Sequence, residues 1–105
     1  MIKFDDCTYI LDENHNVVSA TFLEWMEWLT ADPTRARVAL TAVGNVEVST
    51  VFLGFTMRPG GLVFETMVFG GKFDKVQRRY STWDEAVAGH NGLVREVEAA
   101  EGGST

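Results

Sequence analysis

The sequence predicts an α+β fold in which an antiparallel β-meander, four strands plus an N-terminal β-hairpin, is packed by a short Trp-rich helix and a long C-terminal helix. Three observations predict it. Short β-rich runs alternate with turn signals between residues 37 and 80, and apolar side chains recur at helical spacing between residues 82 and 100. The 105 residues, 46% of them hydrophobic, suffice for one modest core. We therefore expect a single domain over residues 1–100 and a flexible tail at 101–105.

The first predicted element is the β-hairpin. Residues 7–11 (CTYIL) and 16–19 (NVVS) are β-rich and flank the turn-rich DENHN. This region contains acidic residues and no uninterrupted apolar run, so we expect no signal peptide. No stretch of the chain approaches the ~20 apolar residues of a membrane-spanning helix, which predicts a cytoplasmic protein without membrane contact.

A short helix is predicted over residues 22–30. Thr21 is followed three residues later by Glu24, which is the form of a capping box, and the helix is expected to end before Asp32-Pro33. One apolar stripe is predicted from Phe22, Trp25, Met26 and Leu29, with Leu23 and Trp28 off it.

That helix is apolar on more than one face, so it is either sandwiched within the fold or offers tryptophan to a partner. Tryptophan is enriched at the cores of protein interfaces. We therefore select Trp25 and Trp28 as candidate protein-binding residues, with packing in this protein's own core as the alternative.

Four strands follow in sequence order. They are RVALTAV (37–43), VEVSTVFLGF (46–55), LVFETMVF (62–69) and KVQRRY (75–80), joined by Gly44-Asn45, MRPGG and GGKFD. Val76, Arg78 and Tyr80 are expected to share one face of the last strand. Residues 52–55 and 62–69 are apolar on both faces, which indicates central strands that are covered on both sides or lie at an oligomer interface.

The last helix, over residues 82–100, is predicted to begin at a cap formed by Ser81 or Thr82. Its predicted apolar stripe consists of Trp83, Val87, His90, Val94 and Val97, with Ala86 and Leu93 beside it. Gly89 and Gly92 each cost about 1 kcal/mol in a helix interior, so they either permit close approach to a strand or mark a break.

Two polar residues lie in apolar surroundings. His90 falls within the stripe of the last helix, where a packed imidazole and a functional base are both possible. Glu65 lies in the middle of an apolar strand, so it must pair, reach an edge of the sheet or face solvent, and Arg78 or Arg79 on the next strand is suitably placed as a partner. Glu65 and His90 together are a candidate polar cluster for acid–base chemistry, although no nucleophile or phosphate loop accompanies them.

Charge and cysteine content limit the function classes. The chain has a net charge of −6, so direct nucleic-acid binding is not expected. A basic stretch at residues 72–79 makes Arg78 and Arg79 candidates for contact with an anionic partner, with a solvated strand face as the alternative. One cysteine, Cys7, and two histidines provide no internal disulfide and no four-ligand zinc site, and we predict no metal and no cofactor.

Three blocks of the sequence are distinctive: VSTVFLG (48–54), LVFETMVFGG (62–71) and RYSTWDEAVAGH (79–90). In this order they resemble a family of short uncharacterised proteins of phages, prophages and bacterial genomes, with weaker similarity in YILDENHNVV and LEW. The chain departs from that family at FTMRPGG (55–61), where the family has a longer loop containing Asp and His. The resemblance implies a small accessory protein of mobile elements or their bacterial hosts, and it implies no site residues.

The resulting hypothesis is a non-enzymatic phage or prophage accessory protein that binds another protein or a second copy of itself. A homodimer is predicted through the sheet face or through the helix that carries Trp25 and Trp28, because two helices leave apolar strands uncovered. One alternative is a small enzyme that uses Glu65 and His90. The other is a counter-defence inhibitor that mimics nucleic-acid phosphates with its acidic first third, provided that these residues share one surface: Asp5, Asp6, Asp12, Glu13, Glu24 and Glu27.

Overall fold

The computed structural model describes residues 7–56 and 61–101, and its architecture is α+β as predicted. The elements are β1 (Tyr9–Leu11), β2 (Val17–Ser19), α1 (Phe22–Ala31), a 3-10 turn (Pro33–Ala36), β3 (Arg37–Val43), β4 (Val46–Phe52), β5 (Phe64–Phe69), β6 (Gln77–Tyr80) and α2 (Trp83–Glu101). Strands β1 and β2 form the N-terminal hairpin, and β3 to β6 form a four-stranded antiparallel meander in sequence order. The predicted MRPGG turn and the tail at 102–105 lie outside the described residues, Gly61 excepted.

The turn between β1 and β2 is organised by Asp12. Its carboxylate accepts hydrogen bonds from the backbone N–H groups of Asn14 (2.8 Å) and Asn16 (2.9 Å). These bonds, with that from the Asn16 side chain, favour the charged form and hold the pKa of Asp12 below its ordinary value. His15 completes the turn in the left-handed region, at a φ of 65°.

Strand β4 ends three residues earlier than the sequence predicts, because Gly54 turns the chain. Gly54 has a φ of 71°, and a Cβ placed there would lie 2.3 Å from the Trp25 indole nitrogen and 2.9 Å from the Tyr9 carbonyl oxygen. Glycine adopts this conformation at no steric cost and, because it lacks a Cβ, leaves room for both neighbours. The turn therefore locks the end of the sheet against α1 and the hairpin.

Helix α2 begins with a capping box. Thr82 Oγ1 accepts from the Glu85 backbone N–H at 3.1 Å, and Glu85 Oε1 accepts from the Thr82 N–H at 3.2 Å. Glu85 Oε1 also accepts from the Ser81 hydroxyl, and these bonds lower the pKa of Glu85. The helix ends one residue beyond the predicted domain boundary, at Glu101, whose carboxylate accepts from the Lys72 backbone N–H at 2.8 Å.

The buried face of α2 is rotated from the predicted stripe. Its buried residues are Ala86, His90, Leu93 and Val97. The predicted stripe members Trp83, Val87 and Val94 are only half-buried at its margins. Helix α2 packs on all four strands of the meander and covers one face of it. The helix continues unbroken through both internal glycines, so the break that was one of two predicted alternatives does not occur.

Two apolar clusters lie between α2 and the sheet. One consists of Leu11, Phe52, Val63, Phe64 and Ala86, and is extended by half-buried Trp28, Tyr80 and Trp83. The other consists of Val46, Val48, Val68, Leu93 and Val97. His90 lies on α2 between Ala86 of the first cluster and Leu93 of the second, so the core is apolar at both ends and polar in the middle.

Candidate protein-binding surface

Helix α1 forms because its first turn is capped within the chain. Thr21 Oγ1 accepts from the Glu24 backbone N–H at 3.1 Å, and Glu24 Oε1 accepts from the Thr21 N–H at 2.8 Å, so the predicted capping box is present. The helix ends at Asp32, whose carboxylate accepts from the Thr34 N–H at 3.2 Å and starts the 3-10 turn. These caps hold α1 at the end of the sheet near Phe52 and Gly54.

The two tryptophans of α1 face the protein. The Trp28 ring meets Phe52 edge-on with ring centroids 5.6 Å apart, and the Arg35 guanidinium lies over Trp28 at 5.6 Å from its centroid. Trp25 packs against Gly54 and lies 6.0 Å from the Phe55 ring. Both candidate protein-binding tryptophans are thus half-buried in contacts within the chain.

The opposite side of α1 is exposed and apolar. Leu23 is 65% exposed and Met26 is 42% exposed. Phe22 lies between this side and the tryptophans, with its ring centroid 5.6 Å from that of Trp25, and is 38% exposed. We call these three side chains the α1 stripe. The predicted stripe does not coincide with the inward face, since Trp28, which lies off it, packs inward whereas Met26, which belongs to it, points outward. Helix α1 thus buries its tryptophan side only in part and leaves Leu23 and Met26 in solvent, whereas helices of globular proteins normally have polar residues on the face opposite the core.

One border of the α1 stripe is acidic. At 100° per residue, Glu27 lies next to Leu23 around the helix, and Glu24 follows beyond it. The last turn of α1 contains no basic residue. The nearest arginine in sequence, Arg35, is held at Trp28, where it also donates to the Trp28 carbonyl at 3.4 Å.

The two candidate arginines lie on opposite faces of β6. Arg78 faces α2, where its two Nη atoms donate to the Glu96 carboxylate at 2.7 and 3.1 Å. This paired bond raises the pKa of Arg78 and lowers that of Glu96. Arg79 faces away from the helix and donates from Nε to Glu65 Oε2 at 3.0 Å. The predicted partner for Glu65 is therefore found, and the basic stretch does not form a single patch.

Glu65 and His90 do not form a cluster. His90 is 1% exposed and contacts the helix-facing side of the sheet, the side of Thr66, whereas Glu65 lies on the other face of β5. The ring nitrogens of His90 lie 2.7 Å from Thr50 Oγ1 and 2.8 Å from Thr41 Oγ1, and the Thr50 hydroxyl is also bonded to that of Thr66. We call these four residues the His90 network. Both ring nitrogens and all three hydroxyls have a hydrogen-bond partner, so the network is a satisfied polar core. Burial lowers the pKa of His90.

Two surface cavities lie on either side of His15. The larger, about 560 Å³, is lined by Asn14, His15, Asn16, Val17, Ser81, Thr82, Trp83 and Asp84. The smaller, about 320 Å³, is lined by Leu11, Asp12, Glu13, His15, Trp28 and Arg35. The ring of His15 stacks on Trp83 with centroids 3.7 Å apart, a contact between the hairpin and α2 that sequence reasoning missed. The hydroxyl of Ser81 in the larger cavity donates to Glu85 Oε1 at 2.8 Å, and this bond belongs to the cap of α2.

Two of the four described acidic residues near the N-terminus, Asp12 and Glu24, are used to build the fold. Asp12 shapes the hairpin turn and Glu24 caps α1, while Asp5 and Asp6 lie outside the described residues. Within residues 7–56 and 61–101, no group of three His, Cys, Asp or Glu side chains is placed to hold a metal ion. None of the helices in these ranges is both long and apolar enough to cross a membrane.

No protein-family model, curated protein or solved structure matches this chain. The class that the fold and this surface define is a small α+β domain with an exposed apolar helix.

Proposed function

We propose that this protein is a non-enzymatic accessory protein that binds another protein through the α1 stripe. The phage or prophage context that the sequence blocks imply is part of the same proposal. The observation that carries it is the exposure of Leu23 and Met26 on a helix whose opposite side is only half-buried. Contiguous apolar surface of this kind on a soluble domain marks an interaction site.

The charges around the stripe define the partner. Glu27 and Glu24 border Leu23, and the whole chain has a net charge of −6. A partner that presents an apolar cleft with Lys or Arg along one edge complements this surface. A second copy docked through α1 would bring Glu27 towards its own equivalent, so like charges oppose self-association there. The proposed occupant is therefore a different protein with a basic-edged apolar cleft.

The test is the double substitution Leu23→Ser with Met26→Ser. Both side chains are exposed, so we expect the free energy of unfolding to change by less than about 1 kcal/mol. Because truncation of side chains at the centre of an interface accounts for most of the binding energy that alanine scanning detects, we expect the affinity for the partner to fall at least about tenfold. The immobilised chain retains the partner from bacterial lysate, and the retained protein is then purified and titrated by calorimetry against each variant.

The matched control is Leu62→Ser, which removes another leucine that is 47% exposed and lies outside α1. It should bind the purified partner within about twofold of the original chain, whereas Glu27→Lys should weaken binding because it reverses a bordering charge. Equal affinity of the Leu23→Ser, Met26→Ser variant contradicts the proposal. The proposal is also contradicted if the original chain retains no protein from several bacterial lysates that the variant fails to retain.

A further inference from the structure

The two edges of the meander differ in how they are protected. Strand β6 is four residues long and carries Arg78 and Arg79, and charges on a short edge strand oppose pairing with another sheet. Strand β3 is seven residues long and has neither a charge nor a proline beyond its first residue, Arg37. Its register shift with β4 lies between Arg37 and Ala39, so the segment Ala39–Val43 is regular. A regular, uncharged edge of this kind is a template for an added strand.

The backbone of β3 offers hydrogen bonds at two positions on this edge. Gly44, at a φ of 59°, opens a two-residue loop, and the residues that flank such a loop, Val43 and Val46, exchange both backbone hydrogen bonds. Bonded and non-bonded pairs alternate along an antiparallel ladder. Leu40 and Ala42 therefore direct their N–H and C=O groups away from β4.

The bonds at the other edge of the sheet give the same alternation. Val68 accepts from the Lys75 N–H at 2.7 Å and donates to the Val76 carbonyl at 3.1 Å, so it faces the β6 side, and the alternation carried back through β4 again turns Leu40 and Ala42 outward. Within residues 7–56 and 61–101 these outward groups have no hydrogen-bond partner. An occupant of this edge must therefore supply an extended backbone.

The side chains of β3 are complementary to a second β3 that runs antiparallel to it. With a two-fold axis at Thr41, Leu40 of one copy lies opposite Ala42 of the other on the side away from α2. Ala39 then lies opposite Val43 on the α2 side. Each large side chain meets a small one, and the outward backbone groups form two bonded pairs related by the axis.

We propose that a second copy of this chain pairs with β3 in that orientation and joins the two meanders into one sheet of eight strands. The strand of a second copy is already ordered, whereas a free peptide would lose conformational freedom on binding. The pairing uses the β3 edge of both copies, so the assembly closes at the dimer. The two α2 helices lie roughly 19 Å apart, at four strand spacings, which is more than packed helices require.

Sedimentation equilibrium on the full chain tests this dimer. Because only Ala39–Val43 of each copy pair, we expect a weak, reversible dimer, with a mass that rises from 11.7 kDa towards twice that value and a dissociation constant between about 10 µM and 1 mM. A mass that stays at 11.7 kDa near 1 mM protein overturns the proposal and leaves an extended segment of another protein as the occupant of the edge.

A pair of substitutions at one position tests the backbone pairing. Ala42→Pro removes an N–H that points to solvent in the monomer, a place where an edge strand tolerates proline, and it should weaken the dimer at least about tenfold. Ala42→Ser keeps the N–H and nearly the same size, so its dissociation constant should stay within about twofold. Equal dissociation constants for the two variants contradict pairing through β3.

Lysine substitutions at exposed positions separate the edge from the other apolar surfaces. Leu40→Lys places a charge on the paired edge and should weaken the dimer at least about tenfold. Phe69→Lys on β5 and Leu23→Lys on α1 should leave it unchanged, and circular dichroism should confirm that all three variants are folded. Leu23→Lys also separates this inference from the proposed function, because it should abolish partner binding and keep the dimer. Loss of the dimer in either control contradicts the β3 edge as the interface.

Amide hydrogen exchange measured by NMR locates the contact. The N–H groups of Leu40 and Ala42 point to solvent in the monomer, so their exchange should slow as the protein concentration rises through the dissociation constant. Exchange at these two residues that does not depend on concentration while the dimer forms overturns the proposed arrangement.

Discussion

Replacement of His90 by leucine is expected to lower the free energy of unfolding by about 2–3 kcal/mol, because two hydrogen bonds of a buried group are lost at once. The imidazole is 1% exposed and bridges the hydroxyls of Thr41 and Thr50 between two strands. Leucine fills a similar volume, so little of the loss comes from a cavity. Urea denaturation of the two proteins measures the difference.

The control removes two of the three remaining polar members of the His90 network, Thr50 and Thr66. Adding Thr50→Val and Thr66→Val to His90→Leu replaces the centre of the His90 network by apolar groups of similar shape, and part of the lost stability should return. Additive loss across these three substitutions would show that the hydroxyls do not act with His90 as one network.

The same burial makes stability depend on pH. The pKa of His90 in the folded protein lies below its ordinary value of 6.5 because burial disfavours the charged ring. Below pH 6.5 the unfolded chain therefore binds a proton that the folded protein excludes, so the free energy of unfolding falls as the pH is lowered towards the folded pKa. Comparison between pH 8 and pH 5, about the range in which histidine titrates, should show this slope in the original chain and a smaller slope in His90→Leu. Equal slopes contradict the assignment.

The two glycines of α2 should respond to alanine with opposite signs. A Cβ at Gly89 would lie 2.3 Å from Cε1 of the Tyr80 ring, whereas a Cβ at Gly92 meets nothing within 4 Å. Alanine normally stabilises a helix interior by about 1 kcal/mol relative to glycine. Gly92→Ala should therefore gain about 1 kcal/mol, and Gly89→Ala should lose about 1–3 kcal/mol because Tyr80 or the helix must move. Thermal denaturation checks both, and stabilisation by Gly89→Ala would contradict the close packing of α2 on β6.

Local signals predicted much of the fold. The capping box at Thr21 and Glu24 and the two-residue turn at Gly44-Asn45 act over a few neighbouring residues, and both are present in the structure. A charged partner for Glu65 was predicted because a carboxylate in an apolar strand is costly to bury unpaired, and Arg79 is that partner. These features could be predicted because each depends on backbone hydrogen bonds or charges that are close in sequence or in neighbouring strands.

The phases of the helices could not be predicted in the same way. Helix α1 is apolar on more than one side, so periodicity gives no single inward direction, and the contact of Trp28 with Phe52 decides it. In α2 the inward face is set by Thr41 and Thr50, whose hydroxyls meet His90 across 49 and 40 residues. The exposure of Leu23 follows from the contact of Trp28 with Phe52, which is distant in sequence. For this reason the sequence pointed to the tryptophans rather than to the α1 stripe.

Hydrogen–deuterium exchange of the protein, free and in complex with the purified partner, tests the docking surface most directly. If α1 is the contact, the backbone amides of Phe22–Ala31 should exchange more slowly in the complex, since closure of the stripe suppresses local opening of the helix. The exchange of Gln77–Tyr80 at the far edge of the sheet should be unchanged. Protection confined to β6 or to the cavity beside Trp83, with α1 unaffected, would contradict binding through the α1 stripe.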